Sequence, residues 1–437
     1  MLNTLKAAWG RNRTVIGNYA ALSVVQFTSY LAPLILIPYL TRVLGLSRFG
    51  LVELARAVCV YFLILTEYGF NFSATREVSV HRDDPVKLSE VFSAVMILKL
   101  LLTLLGVAGL SAIVFAVPKL RADWPMYYLS FAGVVGMWLF PVWLFQGLER
   151  MKHIALLNVF AQAFVIAATI VLVRNADDYL LVPLVSSAGS LLIGGAALAL
   201  AMRSFPIRFH IPSAVVLKRE FLDGWHLFVS RLVITLYTTG NVVVLGLFTD
   251  TVCVAYYAAG EKVVRATIGG FIVPLSQATF PHIGRLASQS KREALRFAAR
   301  LAGLLSVVTL AISAGLFLTA PQLAYIALGE DWRGGATVIR ILSFLPLIVG
   351  LSNVFGVQIM VNVGLEKCFA KILTAASVLN LTLAVLLGAW IQHRGAAIAL
   401  LTTELFVTTA TWWAVRQNRR DVSDGADKAV DNRGLVS

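Results

Sequence analysis

The chain has 437 residues, of which 58% are hydrophobic and only 14% charged, with a formal net charge of +14. A soluble protein carries about a quarter charged residues, so this composition argues against a soluble enzyme. Apolar runs of about 20 residues, each enough to cross roughly 30 Å of hydrocarbon, recur instead, without the short alternation of a membrane barrel. The reading is an all-α polytopic membrane protein.

Residues 1–14 read as a cytoplasmic lead-in. Twelve spans follow, at 15–40, 50–72, 91–117, 125–146, 153–173, 180–202, 223–248, 253–281, 299–320, 336–362, 368–390 and 395–415. The first run is too long for a signal peptide, and no small-residue cleavage site follows it. It groups Asn18, Gln26, Ser29 and Pro33 on one face.

The second span, "LVELARAVCVYFLILTEYGF" (51–70), keeps three charges. At about 100° per residue, Arg56 lies about 60° and Glu67 about 40° from Glu53, with Asn71 almost directly above Glu53. Such a stripe is costly against lipid, so it faces protein or water. Lys99, just inside the third span, is placed to snorkel. The stretch 203–222, with two prolines and several basic residues, reads as a cytoplasmic linker carrying a surface-lying helix.

The later spans repeat the polar pattern. Span 7 aligns Asp223, His226, Ser230, Tyr237 and Asn241. Span 8 aligns Glu261, Arg265, Ser276 and Thr279, while Lys262 falls off that stripe. Span 10 aligns Arg340, Ser343, Gln358 and Asn362, and span 12 aligns Glu404, Thr408 and Thr411. The tail 416–437 is polar and reads as disordered.

Two echoes divide the chain. "GLERMK" (147–152) follows span 4, and "GLEKCFAK" (364–371) follows span 10. "RVLGLSRFG" (42–50) leads to Glu53 and Arg56, and "VVLGLFTDT" (243–251) leads to Glu261 and Arg265. The expected architecture is two six-helix lobes, 15–202 and 223–415. They are related by a parallel pseudo-twofold, with the polar faces around a central wet cavity.

Most Lys and Arg outside the spans fall in the segments that are cytoplasmic when the amino terminus is inside. The outer loops hold only Arg42, Arg48, Lys119, Arg121, Arg174, Arg333 and Arg394, so both termini are assigned to the cytoplasm. These charges sit beside spans, where anionic lipid is the partner, and nucleic acid is not. Cys59, Cys253 and Cys368 show no metal-ligand or redox spacing, and no Walker A sequence occurs. The outer loops are too short for a catalytic domain.

Each polar feature also has a plainer reading. Glu53 with Arg56 (i,i+3) and Glu261 with Arg265 (i,i+4) can be self-contained ion pairs that only fix packing. The Ser, Thr, Asn and Gln residues can bond between helices. The prolines at 33, 38, 141, 274, 281 and 346 can simply bend helices. Sequence leaves these alternatives open.

"NYAALSVVQFTSYLAPLILIPYLTRVLGLSRFGLVELARA" (18–57), "TEYGFNFSATREVSVHRDDPVKLSEVF" (66–92) and "AYYAAGEKVVRATIGGFIVPLSQATFPHIGRLAS" (255–288) resemble the polysaccharide-transporter (Wzx-type) flippases. These belong to the multidrug/oligosaccharidyl-lipid/polysaccharide exporter superfamily. The resemblance implies a non-enzymatic flippase in a bacterial inner membrane. Its substrate would be an undecaprenyl-pyrophosphate-linked O-antigen, capsule or exopolysaccharide unit, moved outward by alternating access. It implies a cationic cavity, with Arg56, Lys262 and Arg265 where relatives carry cavity cations. Arg340, Asn241, Tyr237 and Gln26 join them as substrate contacts, and Glu53, Glu67, Glu261 and Glu404 serve ion coupling or gating. No cofactor is expected beyond coupling to H+, Na+ or the membrane potential. The implied partners are the lipid-linked glycan, the bilayer and other assembly proteins such as a polymerase and a chain-length regulator. The rival readings are a cation-coupled drug antiporter of the same superfamily and a membrane glycosyltransferase or polymerase acting on the same lipid carrier.

Overall fold

The structure, a computed structural model, describes residues 2–418, with side chains for Gln26 and from Thr28 onward. The expectations for Asn18, for the side chains of the lead-in and for the tail beyond residue 418 lie outside the described residues. Among those described, the chain is helical throughout and has no strand.

Among the described residues, nine helical runs are long and apolar enough to cross a bilayer. Breaks at Gly45, Gly329 and Ile391–Gln392 divide three of them, giving the twelve crossings expected. The 41–50 loop proves to be a kink rather than a loop. Helix α1 (Leu2–Glu67) runs through it, bent where Gly45 takes φ 74°, a conformation that glycine adopts without a Cβ penalty.

The chain clusters into two compact units, residues 1–232 and 233–437. The first unit continues with α2 (Phe70–Val80), α3 (Pro85–Ala116), the short α4 (Pro118–Arg121), α5 (Trp124–Leu139), α6 (Val142–Gly147), α7 (Met151–Leu172) and α8 (Leu181–Ser204). Its entry to α3 has a clear cause. Asp84 accepts hydrogen bonds from the N–H groups of Val86 and Lys87, and Pro85 occupies the first turn, where no N–H is needed. Pro141 likewise separates α5 from α6, because its ring cannot continue the helix.

Helices α5 and α8 pack at near backbone contact. A Cβ on Gly136 would strike the Ser190–Leu191 peptide, and one on Gly194 would strike the Gly136 carbonyl. Small residues permit this close approach, which van der Waals packing rewards in a bilayer. Around α3, Phe92, Trp143, Phe145 and Ile154 form an apolar cluster.

Residues 205–213 are not a loose tether. Ile207 is buried in that cluster, and the N–H groups of Arg208 and His210 donate to Ser89 Oγ (3.0 Å) and Ser93 Oγ (3.1 Å) on α3. The expected surface helix is the start of α9 (Ala214–Phe248), which runs on unbroken into span 7. Its first part belongs to the first unit. Tyr68, 1% exposed and at φ 46°, lies between Phe221 and Phe228, with centroids 4.6 and 4.9 Å away. Gly224 makes room for that ring, because a Cβ there would sit 2.8 Å from Tyr68 Cδ1.

The second unit holds the rest of α9, then α10 (Thr251–Thr267), α11 (Val273–Gln289), α12 (Lys291–Leu328), α13 (Trp332–Leu342), α14 (Leu345–Ser352) and α15 (Glu366–Gln417). Asp250 caps α10 by accepting from Cys253 N at 2.7 Å. A π-helical turn, Ile268–Ile272, joins α10 to α11 just before Pro274, whose missing N–H prevents a regular ladder. A second, Asn353–Met360, follows α14. Polar side chains join helices as expected: Gln358 Nε2 donates to Ser276 O and Oγ (both 2.8 Å), and Thr408 Oγ1 donates to Ile348 O (3.0 Å).

Candidate functional site

In each unit an arginine inside a span is held by a buried carboxylate one turn away on the same helix. In the first, Arg56 Nη1 lies 3.4 Å from Glu53 Oε1; the arginine side chain is 43% exposed and the glutamate 6%. In the second, Arg265 Nε donates to Glu261 Oε1 at 2.7 Å, with side-chain exposures of 34% and 8%. The spacing puts both members of each pair on one helix face. The geometry is one-sided. The carboxylate is sunk in the helix packing and orients the guanidinium, which spends part of its fork inward and presents the rest outward.

Around Arg265 the second unit gathers more of the expected residues. Its Nη2 reaches Thr238 O at 3.5 Å. Glu404, buried on α15, and Tyr237, buried on α9, both lie within electrostatic range of it. Asn241 Nδ2 donates to Tyr257 Oη at 3.0 Å, and its Oδ1 is buried without a partner. Two carboxylates therefore surround one guanidinium.

Glu67 is placed differently. Its Oε1 accepts from Lys99 Nζ at 2.9 Å, and Asn71 Nδ2 donates to its Oε2. Lys99 is wholly buried and also donates to Met137 O at 3.0 Å. The ammonium does not snorkel, because a buried carboxylate and a carbonyl already satisfy it. Thr66 and Thr103 bond beside the pair at 3.1 Å. Charge and hydrogen bonding close on themselves here, so the stripe of span 2 divides into an exposed arginine and a sealed pair.

Arg340 stands apart from the Glu261–Arg265 pair. It is exposed, with its guanidinium carbon 6.0 Å from the Phe317 ring. Lys262 and Gln26 are half-buried. On α9, Asp223, His226 and Ser230 are exposed, while Tyr237 and Asn241 are buried. The span 7 stripe therefore joins two environments.

Sequence reasoning passed over a cavity of about 190 Å³ in the first unit, lined by Arg56, Cys59, Ser130 and a serine cluster on α8. Ser186, Ser187 and Ser190 share one helical face at i,i+1,i+4, opposite the glycines of α5. That pairing of hydroxyls with glycines is the signal that could have revealed it. Among the described residues no group of three or more His, Cys, Asp or Glu side chains is placed to hold a metal ion.

Comparison with known proteins gives a family match, a relative and two structural likenesses. Residues 15–287 match the family described as polysaccharide biosynthesis protein. A protein of Escherichia coli (strain K12), provisionally named an O-antigen transporter, is 32% identical over 402 residues, covering 92% of this chain and 97% of that one. Among solved structures, an inward-facing multidrug resistance MATE family transporter of the MOP superfamily superposes with TM-score 0.74 at 14% identity, over 92% of this chain and 99% of that one. The lipid II flippase MurJ, in an inward closed conformation, gives 0.67 at 13% identity, over 97% and 93%. The two structural likenesses establish the fold.

Proposed function

Because the chain belongs to the polysaccharide biosynthesis protein family, we propose that it is a flippase for a polyprenyl-diphosphate-linked oligosaccharide in a bacterial inner membrane. It moves the headgroup from the cytoplasmic to the periplasmic leaflet and makes or breaks no covalent bond. The observation that carries this reading is the pair of span arginines, each anchored by a buried glutamate and each with an open face. A diphosphate–sugar headgroup loses its hydration in hydrocarbon. A guanidinium replaces part of that hydration with charge-assisted hydrogen bonds, to phosphate oxygens or to sugar hydroxyls. The E. coli relative named for O-antigen transport supports the same substrate class.

In this reading, residues 15–202 and 223–415 are the two six-helix halves, with both termini in the cytoplasm. Outward movement of net negative charge under a potential negative inside releases about 2.3 kcal/mol per charge per 100 mV. The drive is this potential or an entering cation, and Glu261 and Glu404 beside Arg265 are the groups to receive one. Polymerase and chain-length proteins of glycan assembly are the expected protein partners.

The test is reconstitution into vesicles with a fluorescent polyprenyl-diphosphate sugar, followed by quenching of the outer leaflet. Protein-dependent exchange is the expected result. Export of an organic cation without any such exchange would replace this reading with that of a drug antiporter.

A further inference from the structure

We propose that the cavity beside Arg56 is a subsite for one neutral sugar ring, through which the protein reads the glycan rather than the diphosphate. The proposal rests on the transport reading above and deepens it. At about 190 Å³ the cavity is smaller than a drug-sized site and suits a single ring.

The hydrogen-bonding capacity of its walls decides the ligand. Ser187 Oγ donates to Leu129 O at 2.5 Å, and Ser190 Oγ donates to Ser186 O at 3.1 Å. Each hydroxyl has thus spent its only hydrogen and offers lone pairs alone. Arg56, with its charge offset by Glu53, supplies the donors. Ser130 and Ser186 also line the cavity, and neither side chain makes a hydrogen bond in the structure, so both can donate and accept. An anion needs donors all round and would be repelled by the Ser187 and Ser190 oxygens. A sugar hydroxyl both donates and accepts, and satisfies every wall.

The remaining walls, including Val134 and Pro183, are apolar and match the C–H face of a pyranose. A polyprenyl unit would fit those walls but would leave Ser130, Ser186 and the open part of the Arg56 guanidinium unsatisfied.

The site is also prebuilt. Two of the helices that line it, α5 and α8, are locked together where glycine at 136 and 194 lets the backbones touch. A Cβ on Gly133, which lines the cavity, would come 3.3 Å from Ser187 Oγ. Hydroxyls fixed on such packed helices lose little freedom when a ligand binds.

The experiment measures binding to the purified full-length protein in lipid nanodiscs. One probe is lipid-linked glycan extracted from the source cells; the other is undecaprenyl diphosphate bearing no sugar. The unmodified protein is expected to prefer the glycan-bearing lipid. Ser186→Leu, which fills the cavity, should weaken that lipid at least tenfold and leave the sugar-free lipid unchanged within twofold. Ser186→Ala, which keeps the packing, should cost the glycan-bearing lipid up to about fivefold, the worth of one hydrogen bond. A preference undiminished in both Ser186→Leu and Ser130→Leu overturns the subsite while leaving transport intact. So does equal weakening of both lipids, which would place the ligand's anionic group in the cavity. Failure of the unmodified protein to bind either lipid overturns the transport reading and the subsite together.

Discussion

The Lys99–Glu67 pair offers the sharpest test of how charge is used in this protein. Lys99 is wholly buried and the Glu67 side chain is 5% exposed, so neither ion can rehydrate if the other is removed. Breaking a buried pair from one side costs about 3–5 kcal/mol, whereas replacing both members with neutral groups of similar volume is often close to neutral. Lys99→Met should therefore destabilise strongly, and Glu67→Gln likewise. The double variant should recover most of the loss. On the scale of about 2–4 °C per kcal/mol for a unit of roughly 230 residues, each single variant should lower the melting midpoint in detergent by about 6–20 °C. Melting curves for the wild type, both singles and the double close a mutant cycle. Additive losses, with the double variant melting near the sum of the singles, would refute the sealed-pair argument. A stable double variant that no longer exchanges lipid would refute the purely structural role and return Glu67 to ion coupling.

Arg56→Ala and Arg265→Ala should each abolish lipid-linked glycan exchange in vesicles while leaving membrane insertion intact; normal surface glycan in cells carrying either would contradict the headgroup role. Gly194→Leu should prevent purification of a folded monomer, because a side chain there meets the Gly136 carbonyl, and a monodisperse, active Gly194→Leu protein would disprove that contact. Asp178, in the turn before α8, accepts from the N–H groups of Arg174 and Asn175, both at 2.9 Å, which hold its carboxyl below the ordinary value. The stability it adds is therefore present above the ordinary carboxylate pKa and disappears as pH falls through the lowered one. The gap in melting midpoint between wild type and Asp178→Asn should be present at neutral pH and close in acid, whereas a gap constant with pH would rule this out.

Composition and periodicity reveal helices well here, because an apolar run in lipid must satisfy its own backbone and has no other regular way to do so. They revealed Glu53 with Arg56 and Glu261 with Arg265, since partners one turn apart are legible in a linear string. Lys99 and Glu67 are 32 positions apart on different helices, and only packing brings them together. The serines beside Arg56 escaped for a related reason. A serine in a span usually bonds its own helix, and nothing in the string distinguishes one that also borders a void. The strap at 205–213 looked like a tether because polar residues and prolines mark loops, while its anchorage depends on Ser89 and Ser93 of another helix.

The aromatic sandwich around Tyr68 constrains how such proteins can be recombined. Exchange of halves between relatives at the stretch joining them, the natural crossover point, would deliver foreign residues at 221, 224 and 228 to a resident Tyr68. The recipient's ring would then meet mismatched neighbours, and a hybrid could misassemble even with each half otherwise intact. Breeding new cargo preferences by half-swapping therefore requires Tyr68 and its three α9 neighbours to travel as one inherited block.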